Sequence, residues 1–247
     1  MELHFVESID STNDELKRLA EETELDSYVL SAGEQTKGRG RSGHTWNSPK
    51  GTSISTSVLL RPEIDVFQAS QVTILAAIAV SRAIRNLYEL ETRIKWPNDV
   101  LIRNRKVCGI LTEMKPKNSR VKWLVVGIGV NVHDTFFPEE IRDMATSVDL
   151  EIDERASRKA LTEEIWKQFE VLYQKFLEEK SLQFIIDEYN SVLCNRDSEV
   201  KVISGEKEYI AKSLGIDDHG RLLVERDSRI EKVDSGEVHV RGLYGYV

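Results

Sequence analysis

Apolar residues recur along the chain at two different spacings, which together predict a mixture of helices and strands. In residues 52–60, Ser and Thr alternate with Ile54, Thr56 and Val58, which is typical of a strand. Residues 3–6 and 28–32 are also predicted to be strands. The capping-box spacing of Thr12 and Glu15 predicts that a helix begins at Thr12. Residues 68–90 predict a long amphipathic helix, because one stripe at helical spacing is formed by Ala76, Ala77, Val80, Ile84 and Leu87.

The middle of the chain continues with four short β segments and two helices. Residues 92–96, 100–102, 106–114 and 121–131 read as strands, and the turn signals between them predict an antiparallel meander. Residues 154–179 and 182–193 read as helices. This order differs from repeated βαβ units, so we predict an α+β fold.

The pattern changes to all-β from Glu199 onward. Five short β segments, 199–203, 207–214, 221–225, 229–233 and 237–241, are separated by Ser-Gly, Asp-His-Gly and Asp-Ser-Gly turns. They predict a small β-barrel. We therefore predict one domain over residues 1–195 and a second over residues 196–247.

Composition places the chain among ordinary globular proteins. It has 247 residues, of which 40% are hydrophobic and 31% charged. The longest apolar run, residues 74–80, is too short to span a bilayer, and the N-terminus has no secretion signal. Two cysteines without C-x-x-C spacing favour reduced thiols in the cytoplasm.

Charge is distributed unevenly along the sequence. The net charge of -8 argues against a surface that binds a polyanion as a whole. Residues 35–62, however, contain no Asp or Glu, although the chain has 42 of them, and they include several Lys and Arg. This basic segment predicts a local site for an anion.

The basic segment contains a glycine-rich loop, Gly38-Arg-Gly-Arg-Ser-Gly43, that fits the G-x-G-x-x-G pattern of dinucleotide-binding turns. That reading requires a following helix and an acidic residue about 20 positions later. Here a strand follows, and the first acid is Glu63, so a dinucleotide turn is disfavoured. Glycines that let a loop close over a ligand, with Arg39 and Arg41 between them, instead fit an oxyanion clamp. From these residues alone, a solvated basic loop without a ligand is equally acceptable.

A second stretch, residues 95–114, supplies two lysines and a glycine. Lys106 begins an apolar strand and can deliver its ammonium to a ligand, while Gly109 leaves space beside it. Lys95 lies next to Trp96. Taken singly, either lysine is more often a solvated hairpin residue, and Trp46 and Trp96 are more often core residues.

A third stretch, residues 125–133, has two glycines within a strong strand. Such glycines indicate close approach of a ligand or of another backbone, and Asn131 offers both a donor and an acceptor for an adenine edge. A bulged strand that ends in a turn asparagine is the simpler reading. His44 and His133 have no partners at metal-ligand spacing, so we predict no protein-bound metal.

Together these stretches resemble the biotin protein ligase family. Five blocks of the family pattern occur in the same order: Ser11-Thr-Asn13, Gln35-Thr-x-Gly-Arg-Gly-Arg-x-Gly-x-x-Trp46, Lys95-Trp-Pro-Asn-Asp99, Arg105-Lys-x-x-Gly-Ile-Leu-x-Glu113 and Gly127-x-Gly-x-Asn131. The resemblance implies a mixed or antiparallel sheet flanked by helices, like that of class II synthetases. It also implies an SH3-like C-terminal barrel.

The resemblance implies a two-step reaction with biotin and MgATP as substrates. Biotin and ATP would form biotinyl-5'-adenylate, and a lysine of a biotin carboxyl carrier protein would then take the biotinyl group. Arg39, Arg41 and Lys106 are implied as catalytic residues. The implied biotin contacts are Ser11, Thr12, Asn13, Gln35, Gly38, Arg39, Gly40, Arg41, Trp46, Lys106 and Gly109. The implied ATP and adenylate contacts are Arg39, Arg41, Trp46, Lys95, Asn98, Lys106 and Asn131.

The position of the first block has consequences for partners. Because Ser11-Thr-Asn13 comes so early, we expect a monofunctional enzyme without the N-terminal DNA-binding domain of some relatives. We expect no membrane partner, and a homodimer is compatible with the pattern. Ser42 and His44 replace residues that are often basic in the family, which leaves the retention of the adenylate open.

Two rival functions remain. A lipoate or octanoate ligase or transferase would share the fold but lacks the Gly-Arg-Gly-Arg loop. A nucleic-acid-binding module would use the basic loop, Trp46 and the barrel, but the acidic net charge opposes it.

Overall fold

The larger part of the molecule is built on one seven-stranded sheet. In the computed structural model, which describes residues 2–47, 49–204, 207–236 and 238–242, the strand order is β1-β2-β3-β7-β6-β5-β4. β1 and β2 are parallel and the other neighbours are antiparallel, which confirms the predicted mixed sheet. The strands are β1 Leu3–Val6, β2 Ser27–Ala32, β3 Ser53–Leu60, β4 Thr92–Lys95, β5 Asp99–Ile102, β6 Arg105–Lys117 and β7 Arg120–Asn131.

Helices cover both faces of this sheet. The helices are α1 Thr12–Glu22, α2 Ala69–Tyr88, α3 Arg158–Glu179 and α4 Ile186–Val192. Leu59 packs in a cluster with Leu16 of α1, whereas its neighbours Val58 and Leu60 pack in the cluster that contains α2 and α3. All eight residues of β3 are buried. The serines of β3 are therefore buried like its apolar residues, and Ser57 contacts α1 through a hydrogen bond to Asn13.

Helix α1 begins at Thr12 as predicted, but Ser11 and not Thr12 is its cap, because the Ser11 side chain accepts a hydrogen bond from the Asp14 N–H. The predicted starts of α2, α3 and α4 are wrong, for local reasons. Ser157 caps α3 in the same way, so that helix begins at residue 158 and not at 154. Tight 3-10 turns precede α2 and α4, at residues 66–68 and 183–185. The predicted stripe of α2 is buried except for Leu87, which is 39% exposed.

Helix α2 is the central helix of the core. With its preceding turn, residues 66–88 are long and apolar enough to cross a bilayer by length and composition. However, 83% of the most apolar stretch is buried inside the protein, against the sheet and α3. Burial in a core explains its composition.

The C-terminal strands form a separate five-stranded antiparallel sheet in the order β11-β10-β9-β8-β12. Its apolar centre includes Val200, Val202, Ala211, Leu222 and Val224. This sheet fits the predicted SH3-like barrel. Residues 205–206, 237 and 243–247 of the predicted domain lie outside the described residues, and the domain boundary stays a prediction. The strands are β8 Glu199–Ser204, β9 Lys207–Ile216, β10 Leu222–Arg226, β11 Arg229–Val233 and β12 Val238–Gly242.

Specific polar contacts join the two sheets. The indole N–H of Trp96, just after β4, donates to the Gly220 carbonyl in the barrel at 2.9 Å, and both groups are buried. The Leu182 N–H donates to the Asp218 carbonyl at 2.9 Å. The turn between β9 and β10 is thus held against the seven-stranded sheet.

The Trp96 contact predicts a measurable loss of stability. Trp96→Phe leaves the Gly220 carbonyl buried without this donor, so we expect the free energy of unfolding to fall by about 1–3 kcal/mol in urea titrations. Trp123→Phe is the matched control, because its indole N–H donates to Glu21, whose side chain is 39% exposed and can bind water instead. Equal losses of unfolding free energy in the two variants would show that the Trp96 hydrogen bond to Gly220 has no special contribution to stability.

Candidate active site

A cleft opens on the face of the sheet that carries α1, with about 460 Å³ of space, part of it open to solvent. The start of α1, the glycine-rich loop and strands β3, β6 and β7 form its walls. The structure therefore brings together residues from all five sequence blocks. The predicted site residues that line the cleft are Ser11, Thr12, Asn13, Gln35, Arg39, Gly40, Arg41, Trp46, Asn98, Lys106 and Gly109.

Neutral polar side chains lie at the α1 end of the cleft. The Gln35 Oε1 atom accepts hydrogen bonds from the Thr12 N–H at 2.7 Å and the Thr12 hydroxyl at 3.0 Å. Asn13 Nδ2 donates to the Leu111 carbonyl at 3.2 Å and to Glu113 at 2.9 Å. This group can recognise a neutral polar ligand without adding net charge to the cleft.

A connected row of polar side chains lies at the opposite end. Arg41 donates to Asn98 Oδ1 at 2.9 Å, Asn98 Nδ2 donates to Asp99 at 3.1 Å, and Lys106 Nζ lies 2.8 Å from the same Asp99 oxygen. Burial lowers the pKa of the Arg41 guanidinium, and nearby Asp99 opposes that shift. Two cations are therefore held side by side, with one carboxylate between them.

Arg39 occupies a different environment on the outer side of the loop. Its guanidinium lies 2.8 Å from Asp14 and 3.5 Å from Glu113, and Lys17 contacts the same two carboxylates at 2.6 and 2.8 Å. The hydrogen bond to Asp14, followed by the charge of Glu113, raises the pKa of Arg39. Its side chain is still 48% exposed. Arg39 is thus charged, accessible and held by exchangeable partners.

The glycine-rich loop folds back on itself as a small hairpin. The Gly40 N–H donates to the His44 carbonyl at 2.7 Å, and the Trp46 N–H donates to the Gly38 carbonyl at 3.0 Å. A β-carbon on Gly38 would lie 2.3 Å from the Trp46 carbonyl oxygen, so no side chain fits there. Gly38 does not line the cleft, and its close approach to Trp46 brings the two ends of the loop together.

Trp46 lies directly on two strand glycines. Gly109 of β6 and Gly129 of β7 are register partners, and β-carbons on them would lie 3.1 and 2.4 Å from the indole ring. The space predicted for a ligand or a backbone is thus filled here by a side chain. Gly127 similarly admits Asn13, because a β-carbon would lie 2.1 Å from Asn13 Oδ1.

Two further predicted residues lie outside the cleft lining. Asn131, at the end of β7, is buried, and its amide donates to the Thr146 carbonyl at 3.0 Å. Lys95, at the end of β4, is also buried. Their contacts with adenine or phosphate stay predictions.

The sequence blocks contain residues whose importance only the structure reveals. Asp99 and Glu113 are the last residues of two of the motifs. That position in the sequence could have identified them as residues of the site. Lys17 was missed because it looks like an ordinary exposed helix lysine. Ser57 was missed because nothing distinguishes it from the other serines of β3.

Within the described residues, no group of three or more His, Cys, Asp or Glu side chains can hold a metal.

Comparison with known proteins decides the family. Residues 5–131 match the biotin/lipoate A/B protein ligase family, and residues 197–241 match the biotin protein ligase C-terminal domain. The chain belongs to this family. The predicted membership is confirmed, and the protein is a ligase.

Three relatives cover most of the chain. The bifunctional ligase/repressor BirA of Bacillus spizizenii is 34% identical over 96% of this chain and 74% of its own length. The biotin–[acetyl-CoA-carboxylase] ligase of Mycobacterium tuberculosis is 32% identical over 97% of this chain and 90% of its own. The biotin protein ligase of Aquifex aeolicus, solved with biotin and ATP, has a TM-score of 0.85 and 31% identity, covering 97% and 98% of the two chains. These matches favour a biotin ligase over the lipoate or octanoate alternative.

The position of Trp46 gives a direct structural prediction. Gly129→Ala should force the indole off β7, destabilise the fold by about 1–3 kcal/mol and increase acrylamide quenching of tryptophan fluorescence. The quenching reports on Trp46 because Trp96, Trp123 and Trp166 are only 2–6% exposed. Gly236→Ala is the control, since a β-carbon there meets nothing within 4 Å. Unchanged quenching in Gly129→Ala would show that Trp46 is not seated on the strand.

Proposed function

We propose that the protein is an ATP-dependent biotin protein ligase that acts through biotinyl-5'-adenylate. The observation that carries the proposal is the cleft itself. Arg41 and Lys106 lie at one end, Arg39 lies on the closing loop, and neutral polar side chains lie at the other end. A ligand with a polar ring at one end and a carboxylate at the other matches this distribution.

The first step joins two anions, so its main barrier is electrostatic. A carboxylate oxygen of biotin attacks the α-phosphorus of ATP, and the bond to pyrophosphate breaks. Arg41 and Lys106 are proposed to neutralise the carboxylate and the α-phosphate as they approach. Arg39 is proposed to join them after leaving Asp14. Cations that are already positioned stabilise developing charge without reorganisation.

The other end of the cleft is proposed to bind the ring system of biotin. Ser11, Thr12, Asn13 and Gln35 offer neutral donors and acceptors for the ureido group. Trp46, lying on Gly109, offers an apolar wall for the sulphur-containing ring and the valeryl chain. Gly40 leaves the loop backbone free to approach the ligand.

The second step transfers the biotinyl group to the carrier. The amine of a carrier lysine attacks the acyl carbon of the mixed anhydride, AMP leaves, and the amine loses a proton. No protein nucleophile is needed for this step. Because water would destroy the anhydride, the glycine-rich loop is proposed to exclude water until the carrier lysine arrives.

ATP is proposed to bind as its magnesium complex. We propose that Asn98 and Lys95 support the phosphates and that Asn131 contacts adenine. For these groups the support is their place in the family motifs and, for Asn98, its position in the cleft. Magnesium would enter with the nucleotide, because this ion commonly binds to substrate phosphates and keeps several of its waters.

The partner is proposed to be a biotin carboxyl carrier protein or domain. The net charge of -8 supports the proposal that nucleic acid is not a partner. We further propose that the protein acts in the cytoplasm without a membrane partner. A homodimer remains a proposal, which sedimentation of the free and ligand-bound protein would test.

Removing the exposed clamp residue should slow the first step. In Arg39→Ala, biotin-dependent exchange of pyrophosphate into ATP is expected to fall roughly 100-fold, because one charge-assisted contact to the reacting oxygens is lost. Arg18→Ala is the matched control, since Arg18 also pairs with two carboxylates of this region but does not line the cleft. Exchange at the wild-type rate in Arg39→Ala would rule out its role in the clamp.

The whole reaction can be tested by the mass of the carrier. Incubation with biotin, MgATP and a carrier domain should add one biotinyl group to the carrier, with AMP released in equal amount. Octanoate or lipoate in place of biotin should give little product. A carrier of unchanged mass, or preferential transfer of lipoate, would contradict the proposed function.

A further inference from the structure

A row of buried side-chain hydrogen bonds lies between the cleft and the sheet. From Glu113 it runs through Asn13, Ser57 and Thr12 to Gln35. The Asn13 amide donates to Glu113 at 2.9 Å, Ser57 Oγ donates to Asn13 Oδ1 at 2.7 Å, and the Ser57 and Thr12 hydroxyls lie 2.7 Å apart. Ser57 is fully buried and does not line the cleft.

The donors and acceptors in this row can be assigned from its fixed end. The Glu113 carboxylate, which also contacts Lys17 at 2.8 Å, accepts from Asn13 Nδ2. The Asn13 oxygen must then face Ser57, and an amide oxygen can only accept. Ser57 therefore gives its proton to Asn13, which leaves its own oxygen as an acceptor for the Thr12 hydroxyl.

The same reasoning fixes what Thr12 and Gln35 present to a ligand. The shorter of the two hydrogen bonds of the Thr12 hydroxyl is the one to Ser57, at 2.7 Å against 3.0 Å to Gln35 Oε1, so the Thr12 proton is assigned to Ser57, which does not line the cleft. Thr12 then offers a lone pair to the cleft. Gln35 Oε1 already accepts from the Thr12 N–H, so Gln35 has its amide N–H groups left to donate.

We propose that Ser57 is a positioning residue that determines specificity by holding the Thr12 hydroxyl as an acceptor. The site then selects a ligand ring with an N–H facing Thr12. This inference rests on the proposed function, since biotin's ureido group carries such N–H groups whereas octanoate and the dithiolane ring of lipoate do not. A site built to receive a hydrogen bond discriminates strongly against a ligand that lacks the donor.

The test compares biotin with two analogues in which one or the other ureido N–H is replaced by oxygen. Dissociation constants are measured by calorimetry, which needs no turnover. The wild type should prefer biotin to one of the analogues by about 10-fold or more, the worth of one hydrogen bond. In Ser57→Ala the Thr12 hydroxyl loses its shorter acceptor and keeps only the longer one in Gln35, which itself lines the cleft, so the Thr12 proton can turn toward the ligand and this preference should fall at least about threefold.

Two further variants separate specificity from a general loss of structure. Thr12→Val should abolish the preference, and adding Ser57→Ala to it should change the preference no further, because Ser57 acts through Thr12. Ser31→Ala, in a buried serine on neighbouring β2, should leave the preference unchanged. Retained cooperative unfolding in each variant shows that the comparison is made on folded protein.

The outcomes distinguish this inference from the proposed function. A wild-type protein that binds no biotin at all would refute the proposed function. A wild type that binds biotin but does not discriminate against either analogue would overturn the inference alone. The same holds if Ser57→Ala weakens biotin and both analogues equally, since a structural role would act on every ligand alike.

Discussion

The architecture of the site depends on the contact between Trp46 and two glycines in adjacent strands. A β-carbon at position 129 would lie 2.4 Å from the indole and one at position 109 would lie 3.1 Å from it, so the indole can sit against the sheet because residue 129 lacks a β-carbon, and the glycine at 109 relieves a further tight contact. This contact fixes the far end of the glycine-rich loop, and the Gly38 carbonyl fixes the near end. Between these two anchors lie Arg39 and Arg41, whose positions are therefore set by packing as well as by charge.

Charge compensation is the second requirement of the site. Each cation has a carboxylate close by: Asp99 for Lys106 and Arg41, and Asp14 and Glu113 for Arg39. Cations gathered without such partners would repel one another and destabilise the fold. Because these carboxylates lie on partly exposed side chains, each ion pair contributes little stability, and exchanging it for a contact with an anionic ligand would have a modest cost.

The sequence predicts the helices and strands, and which residues line the cleft, better than it predicts which side chains contact one another. Strand alternation and the α2 stripe identify the sheet and the core helix, because burial on one face leaves a periodic pattern. The glycine positions in β7 also indicate close approach. The pattern does not reveal what approaches, since the nearest group to Gly129 is an indole from residue 46, far away along the chain.

Residues that act through others are the least predictable. Ser57 lies in a strand where every position is buried, so neither exposure nor periodicity separates it from Ser53 or Ser55. Its importance follows only from the pairing of β3 with β7 and the packing of α1, which place its hydroxyl between two side chains of that helix. Ser11 and not Thr12 caps the helix for a similar reason, because the Thr12 hydroxyl contacts Ser57 and Gln35 instead of the backbone of α1.

The barrel takes part in the site and is not only an attachment to it. One guanidinium nitrogen of Arg41 donates to Asn98, which lies between β4 and β5 of the seven-stranded sheet. The other donates at 2.7 Å to the Ser235 carbonyl, on the turn that leads to β12. A planar guanidinium with both ends occupied has little freedom to rotate. The orientation of Arg41 in the cleft therefore depends on the position of the barrel, which Trp96 and Gly220 fix from the opposite side of the interface. A shift of the barrel would therefore change the orientation of Arg41 directly, through its hydrogen bond to Ser235.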